Sequence, residues 1–347
     1  LRVKLRKNVL VNMAHLGTHA FEEIGGEVVQ STAFVMKNAS IPSYVGTYER
    51  LVSAPSQTAK ENSYLEMVKN FSSKNLYRTN QTNYMKIPGS PIAYWVSNQL
   101  INSFEQGGSL GQLAEPRQGM ATSDNNRFLR QWSEVSFKNI AFDIRNRDEA
   151  SQSGYTWFPY SKGGHFRKWF GNNELVVNWK NDGEEVRALA TKLYKNDTRT
   201  IKNMRYYFRS GLSWSALSSG DISFRYVPHG FLFDTKGPLL FIDDNSNKAS
   251  YLFLLGLLNS KTSMAFLKIL APTMDYNQGP IRSIPMPKTV PDGQASGVND
   301  AAKLNIKLAK KDWDVTEKSW GFGGHPLITH IAEHNRNWTV EAAFNQW

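Results

Sequence analysis

The longest strongly apolar run in this chain is YLFLLGLL, from Tyr251 to Leu258. It falls far short of the roughly 20 residues that a membrane-crossing helix needs. Elsewhere short apolar stretches alternate with Gly, Asn, Asp and Pro clusters, which mark turns and confine helices and strands to short pieces. The expected architecture is therefore mixed, α/β at the start and α+β beyond it. At 347 residues, 40% hydrophobic and 20% charged, the chain is globular and long enough for two domains or one large one.

Cysteine is absent, which excludes disulfides and cysteine-based zinc sites and suits a cytoplasmic protein. The first residues alternate Lys and Arg with apolar residues and lack the separate apolar segment of a signal peptide. The sequence starts at Leu1 and stops at EAAFNQW inside an expected helix. It reads as a piece of something longer.

The formal net charge is +11, and it is unevenly placed. Residues 1–85 carry 10 Lys/Arg against 6 Asp/Glu, residues 86–290 carry 25 against 17, and residues 291–347 carry 6 against 7. The basic excess thus sits in the middle, where aromatics are also dense. That pattern suits nucleic acid as a partner, although a merely basic surface has the same composition.

Three regions follow from the punctuation. Within the first, residues 1–85, residues 1–40 resemble the end of an α/β unit: LRVKLRKNVL as a short basic helix, VNMAHLG as a strand, a turn at Gly25-Gly26, and STAFVMK as a strand buried on both faces. A helix is expected around SAPSQTAKENSYLEMVKNF, capped by Ser56 or Thr58. MKIPGSPIAYW marks a boundary, and residues 86–290 follow as short strands with occasional helices. PDGQASGVND (291–300) reads as a second linker, leading to a region helical at both ends around the bend SWGFGGHPL.

Catalytic motifs are weak. HIAEH (His330 to His334) matches H-x-x-E-H, a zinc-peptidase pattern, but lacks a third ligand and equally describes a polar helix. Asp221 with Asp234-Thr235-Lys236 mimics a metal-dependent nuclease, again without its other ligands. No glycine-rich loop follows a buried strand near the start, so no cofactor loop is visible.

Contact motifs are stronger as a group. GMATSDNNRFLRQW (Gly119 to Trp132) offers Thr122, Asn125 and Asn126 in a polar loop. The next residues fit a helix burying Phe128, Leu129 and Trp132, with Arg127 and Arg130 on its neighbouring face. The arginines would meet phosphate or brace the loop through Asp124. GGHFRKWFGNNE presents His165, Arg167 and Lys168 among aromatics, just after Lys162. Between Arg187 and Arg209 there are seven Lys/Arg, including Arg205, and one acid, Asp197. SWSALSSGDISFRY adds Ser218, Ser219 and Arg225, and Asn277 follows in TMDYNQGP. Cations serve phosphates, while hydroxyls and amides serve both phosphates and base edges. Each motif alone is also an ordinary solvated face.

In order along the chain, these motifs resemble the large adenine-N6 DNA methyltransferases of the PglX type from BREX phage-defence systems, relatives of type IIG restriction–modification enzymes. HLGTHAFEEIGGEVVQSTAFVM resembles the segment that closes the family's methyltransferase domain, and YVGTYERLV the step after it. GMATSDNNRFLRQW resembles the family's GxxTGDNxRFLRxW, with Ser123 where a glycine is usual. WFPYSKGGHFRKWFGNNELVVNWKNDG, YYFRSGLSWSALSSG, LLGLLNSKTSMAFLKILAPTMDYNQGPIRSIPMP and KKDWDVTEKSWGFGGHPL follow in the family's order.

The resemblance implies the last strands of a Rossmann-like methyltransferase sheet over residues 1–40, within a C-terminal part of the methyltransferase domain that spans 1–85. A DNA target-recognition domain would span 86–290, and a linker with the start of a helical C-terminal region 291–347. It implies S-adenosylmethionine as cofactor, bound by a part of the parent protein upstream of Leu1. It further implies double-stranded DNA as partner, other BREX proteins as possible partners, and no membrane. No catalytic residue carries over, because no position here matches the family's Asn-Pro-Pro-aromatic motif. A type IIG enzyme and a non-catalytic DNA-specificity module stand as the alternatives.

Overall fold

The computed structural model describes residues 7–23, 29–218, 220–242, 250–272, 275–289, 292–328, 339, 341 and 344–345. The chain divides into two compact units, Leu1–Gly107 and Gly108–Trp347.

The first unit holds strands β1 (Val9–Gly17), β2 (Ser31–Lys37) and β3 (Val45–Arg50), helix α1 (Gln57–Lys69), strand β4 (Leu76–Asn80), and helices α2 (Gln81–Met85) and α3 (Asn98–Gln106). They form one four-stranded sheet in the order β2-β1-β3-β4. β1 and β3 run parallel, whereas β2 and β4 pair antiparallel to their neighbours. Ser56 caps α1 by accepting from the Ala59 N–H at 3.2 Å. The core is aromatic: Tyr48 is fully buried and stacks on Tyr94 with ring centroids 4.7 Å apart.

Two expectations for this unit change. Val9 and Leu10 belong to a strand, not to a basic helix, because β1 pairs with β2 from Val9 onward; residues 1–6 and the Gly25-Gly26 turn lie outside the described residues. STAFVMK does form a strand, but it is the edge of the sheet, with Phe34 50% and Val35 55% exposed. Its apolar composition matches a covered strand, and nothing among the described residues of this unit covers it.

The second unit starts with β5 (Gly108–Ser109), β6 (Ala114–Arg117), α4 (Asn125–Phe128), β7 (Leu129–Gln131), α5 (Arg147–Gln152), β8 (Trp157–Ser161), β9 (Leu175–Asn178) and α6 (Lys180–Tyr194). It continues with β10 (Gly211–Ser213), β11 (Arg225–Val227), β12 (Leu232–Phe233), β13 (Leu239–Ile242), α7 (Tyr251–Leu258), α8 (Lys261–Leu270), α9 (Gln278–Arg282), β14 (Pro285–Met286) and α10 (Asp292–Asp314). Two four-stranded sheets, β11-β10-β13-β6 and β12-β8-β9-β7, accompany the small pair β14-β5.

Both large sheets feed one core. Phe158, Tyr160 and Val177 from one sheet join Val227, Leu239 and Phe241 from the other, and α6 adds Val186 and Ala190. The Phe233 and Phe241 rings lie 5.5 Å apart. The stretch expected as a linker at 291–300 is, from Asp292, the opening of the long helix α10. Its Gly, Ser and Asn are poor helix formers, and packing overrides them. A Cβ at Gly256 of α7 would sit 2.6 Å from the Val298 side chain, so the two helices meet where α7 has no side chain. Ser250, the cap of α7, also bonds Asn299 at 2.8 Å.

Candidate nucleic-acid interface

The second unit's strands deliver their loops to one end. β8 and β12 run parallel, with Tyr160 opposite Leu232 and Ser161 opposite Phe233, so the segments after both strands leave together. β10 finishes beside them, since Ser213 pairs with Leu239. Backbone hydrogen bonds bind the loops to each other: Met120 N to Phe233 O at 2.9 Å, Thr235 N to Met120 O at 3.1 Å, Ala216 N to Lys236 O at 2.9 Å, and Tyr276 N to Ala216 O at 2.8 Å. Ser215 Oγ adds a bond to Gly164 O at 2.7 Å. The segments around residues 119–126, 162–165, 214–218, 234–237 and 275–277 are thereby one connected surface.

Glycine makes this closeness possible. A Cβ at Gly119 would lie 1.8 Å from Phe233 O, and one at Gly237 would lie 2.3 Å from Gly163 N. Both distances are far inside van der Waals contact with backbone, which cannot retreat as a side chain can.

In the GMATSDNNRFLRQW segment the helix lasts one turn. Asp124 caps it through the Arg127 N–H at 3.0 Å, and Ser123 before it has φ 63°, the left-handed backbone that a glycine takes without strain. From Leu129 the chain turns into β7 because Leu129, Arg130 and Gln131 pair with Val177, Val176 and Leu175 of β9. Phe128 and Leu129 are buried as expected, but Arg127 and Arg130 do not share a helix face. Arg127 pairs with Glu185 at 2.8 Å, both side chains about half exposed. Arg130 turns back onto Asn126 O and Leu129 O, each at 2.6 Å. Both side chains have partners within the fold, and in neither case is it the Asp124 carboxylate. Thr122 is 1% exposed and donates to Asn125 Oδ1 at 2.7 Å, holding that side chain from beneath.

Asn126 is exposed, and its amide has no hydrogen-bond partner among the described residues. It lines a cleft of about 450 Å³ together with Asn125, Arg130, Gln131, Glu134 and Lys162. Lys162 has no ion-pair partner among the described residues, so a segment 36 residues farther along the chain adds an unneutralised cation to the same cleft. His165 is exposed beside it in sequence.

Other expected contacts are committed to the fold. Arg167 pairs with Asp312, donates to Phe170 O at 3.0 Å and lies over Trp313, tying its loop to α10. Lys168 Nζ donates to Asn259 O at 3.0 Å. Arg225 is 1% exposed; its Nη1 reaches Arg167 O and Ser223 Oγ at 3.4 Å, and its Nη2 is buried without a partner. Burial, then the neighbouring Arg167 charge, pushes the Arg225 guanidinium down to about 10. Such a residue supports the loop and does not present itself to a ligand.

The remaining expected contacts are dispersed. Arg205 and Arg209 follow the flank of β6 away from the loops: Asn203 bonds Gln118 O at 2.8 Å near them, whereas Arg209 reaches Ile242 O at the far end of β13. Both guanidiniums stack on Tyr206. Ser218 closes a turn through Gly220 O and Asp221 O, and Asn277 donates to Asp275 at 2.7 Å. Ser219 lies outside the described residues. Lys236 was not singled out for contact, yet it is exposed, unpaired among the described residues, and in the connected loops. Only its place directly after a buried strand could have signalled this.

The nuclease-like acids do not converge. Asp221 pairs with Lys268 at 3.0 Å, while Asp234 is 4% exposed and accepts from the Lys236 N–H at 2.7 Å. Among the described residues no group of three His, Asp or Glu could hold a metal ion, and HIAEH falls outside them. No single described helix is long and apolar enough to cross a membrane. The residues present also do not fit S-adenosylmethionine: β1 runs through Gly17 toward its hairpin partner β2, and no described glycine-rich turn joins a parallel strand to a helix.

No protein-family model matches the chain. The adenine-specific methyltransferase PglX of Lacticaseibacillus casei (strain Zhang) is 44% identical over 348 residues, covering 100% of this chain and 28% of that protein. The adenine-specific methyltransferase BrxX of Escherichia coli O9:H4 (strain HS) is 38% identical over 327 residues, covering 94% of this chain and 25% of its own length. The chain therefore spans about a quarter of the curated relatives it matches. Among solved structures, the type IIG restriction endonuclease BpuSI gives a TM-score of 0.34 at 11% identity, over 85% of this chain and 38% of that one. That likeness is too slight to carry an argument.

Proposed function

We propose that this chain, a relative of the PglX-type adenine-specific methyltransferases, is the DNA-recognition segment of such an enzyme. The second unit binds double-stranded DNA with the loops gathered at the end of β8, β10 and β12. The first unit is the last part of a Rossmann-like methyltransferase sheet. The edge strand β2, apolar yet half exposed at Phe34 and Val35, supports that reading, as does the parallel β1–β3 pair. S-adenosylmethionine would be held by polypeptide outside this chain and would supply the methyl group for adenine N6. Adenines modified in this way are turned out of the duplex to reach a cofactor. The share of this chain is to choose the adenine. A BREX defence setting rests on the resemblance of the ordered motifs.

One observation carries the proposal: Lys162 and Lys236 stand on connected loops with the exposed His165, neither lysine has an ion-pair partner among the described residues, and Lys162 shares a cleft with the unpaired amide of Asn126. Unpaired cations meet phosphates, and an unpaired amide is the group that reads an adenine edge. The test is fluorescence anisotropy of a labelled mixed-sequence duplex titrated with the chain at several salt concentrations. Binding with log K falling linearly in log salt is expected. No binding at low salt would overturn the proposal.

A further inference from the structure

The same loops expose two large apolar side chains, Phe166 at 59% and Leu217 at 55%. Neither sits on a named helix or strand. Phe166 follows Gly163 and Gly164, whose φ values of +87° and +123° turn the chain outward, and the backbone behind it is fixed at once. Arg167 N donates to Ser223 Oγ at 3.1 Å and Trp169 N to Phe224 O at 2.9 Å. Leu217 is held in the same manner, by its bridge to Asp275 and by the Ser218 turn. The Ser215–Gly164 bond joins the two loops behind these residues. Each side chain is therefore an apolar projection on a braced base, with the exposed His165 and the unpaired Lys236 on the same connected loops.

We infer that Phe166 and Leu217 are wedges that enter the base stack of bound DNA. This rests on the DNA reading above and adds the manner of engagement. Phe and Leu are among the side chains that separate base steps, and the surrounding cations hold the phosphates while the step opens. Opening a step next to the target lowers the cost of turning out a base.

The test uses the 347-residue chain bound to a mixed-sequence duplex at low salt, with permanganate reporting unstacked thymines. The wild-type chain should raise thymine reactivity inside its footprint. Phe166→Ala and Leu217→Ala should each lose most of that gain while keeping the wild-type salt slope. Leu193→Ala, equally exposed on α6, should keep the full gain. Binding by the wild type without any gain, or an undiminished gain in both wedge variants, overturns the inference and leaves the DNA reading standing. A wild-type chain that binds no duplex removes both.

Discussion

Tyr160 donates its hydroxyl proton to Asp234 Oδ2 at 2.8 Å, and the two residues are 0% and 4% exposed. The hydroxyl also lies 3.1 Å from Met120 O. Three segments of the loop cluster are thus joined by one buried oxygen. Burial and the neighbouring carboxylate both drive the phenol well above its ordinary pKa, so it stays a donor. Tyr160→Phe would strand a buried carboxylate oxygen, at a cost of about 1–3 kcal/mol. The urea midpoint measures it, and an unchanged midpoint would show that the bond stabilises nothing.

Lys162, partly exposed and lining the cleft, and the exposed Arg127 should behave differently although both are cations. Lys162→Ala should weaken duplex binding and reduce the salt slope by about 0.9, the share of one phosphate contact. Arg127 is engaged by Glu185, an exposed pair worth at most about 1 kcal/mol. Arg127→Ala should leave the slope unchanged; a drop equal to that of Lys162→Ala would place Arg127 on phosphate instead.

Asn126 should govern sequence and not charge. Asn126→Ala should leave the salt slope intact and flatten the preference among sequences, by about 1–3 kcal/mol at one base pair. Selection from a random duplex library before and after the substitution reads this directly. Identical selected sequences would remove Asn126 from base readout.

The first unit should lose stability in mild acid. Burial, with Arg50 and Lys60 assisting, holds His15 below its ordinary value near 6.5, and its Nδ1 lies 3.0 Å from the Tyr94 hydroxyl. The unfolded chain takes up a proton near pH 6.5 and the folded chain resists it, so stability falls as pH drops from about 6.5 toward the depressed folded value. His15→Asn keeps a polar atom near Nδ1 and removes the titration. Amide-exchange protection of β1 should decline between pH 7.5 and 5.5 in the wild type and much less in the variant.

Legibility in the sequence followed the range of the interactions involved. Local signals held: Ser56 caps α1, and STAFVMK is a strand. The Leu129 segment failed because its apolar spacing suits a helix, whereas its partner in β9 lies more than 40 residues away. The linker expected at 291–300 failed likewise, since a contact with α7 holds it helical. Residue type alone singled out Asn126, Lys162 and His165 together with Arg167 and Arg225, and it could not tell which of these side chains the fold engages. Charge in the sequence does not disclose whether Asp312 or a buried shell awaits it.

The glycines at 119 and 237 separate two kinds of position in this chain. Backbone presses on backbone there, so any side chain would force the adjoining segments apart. Asn126, Phe166, Leu217 and Lys236 stand on the same connected loops, where their side chains are exposed. A lineage can exchange these tips one at a time without disturbing the foundation that spaces them.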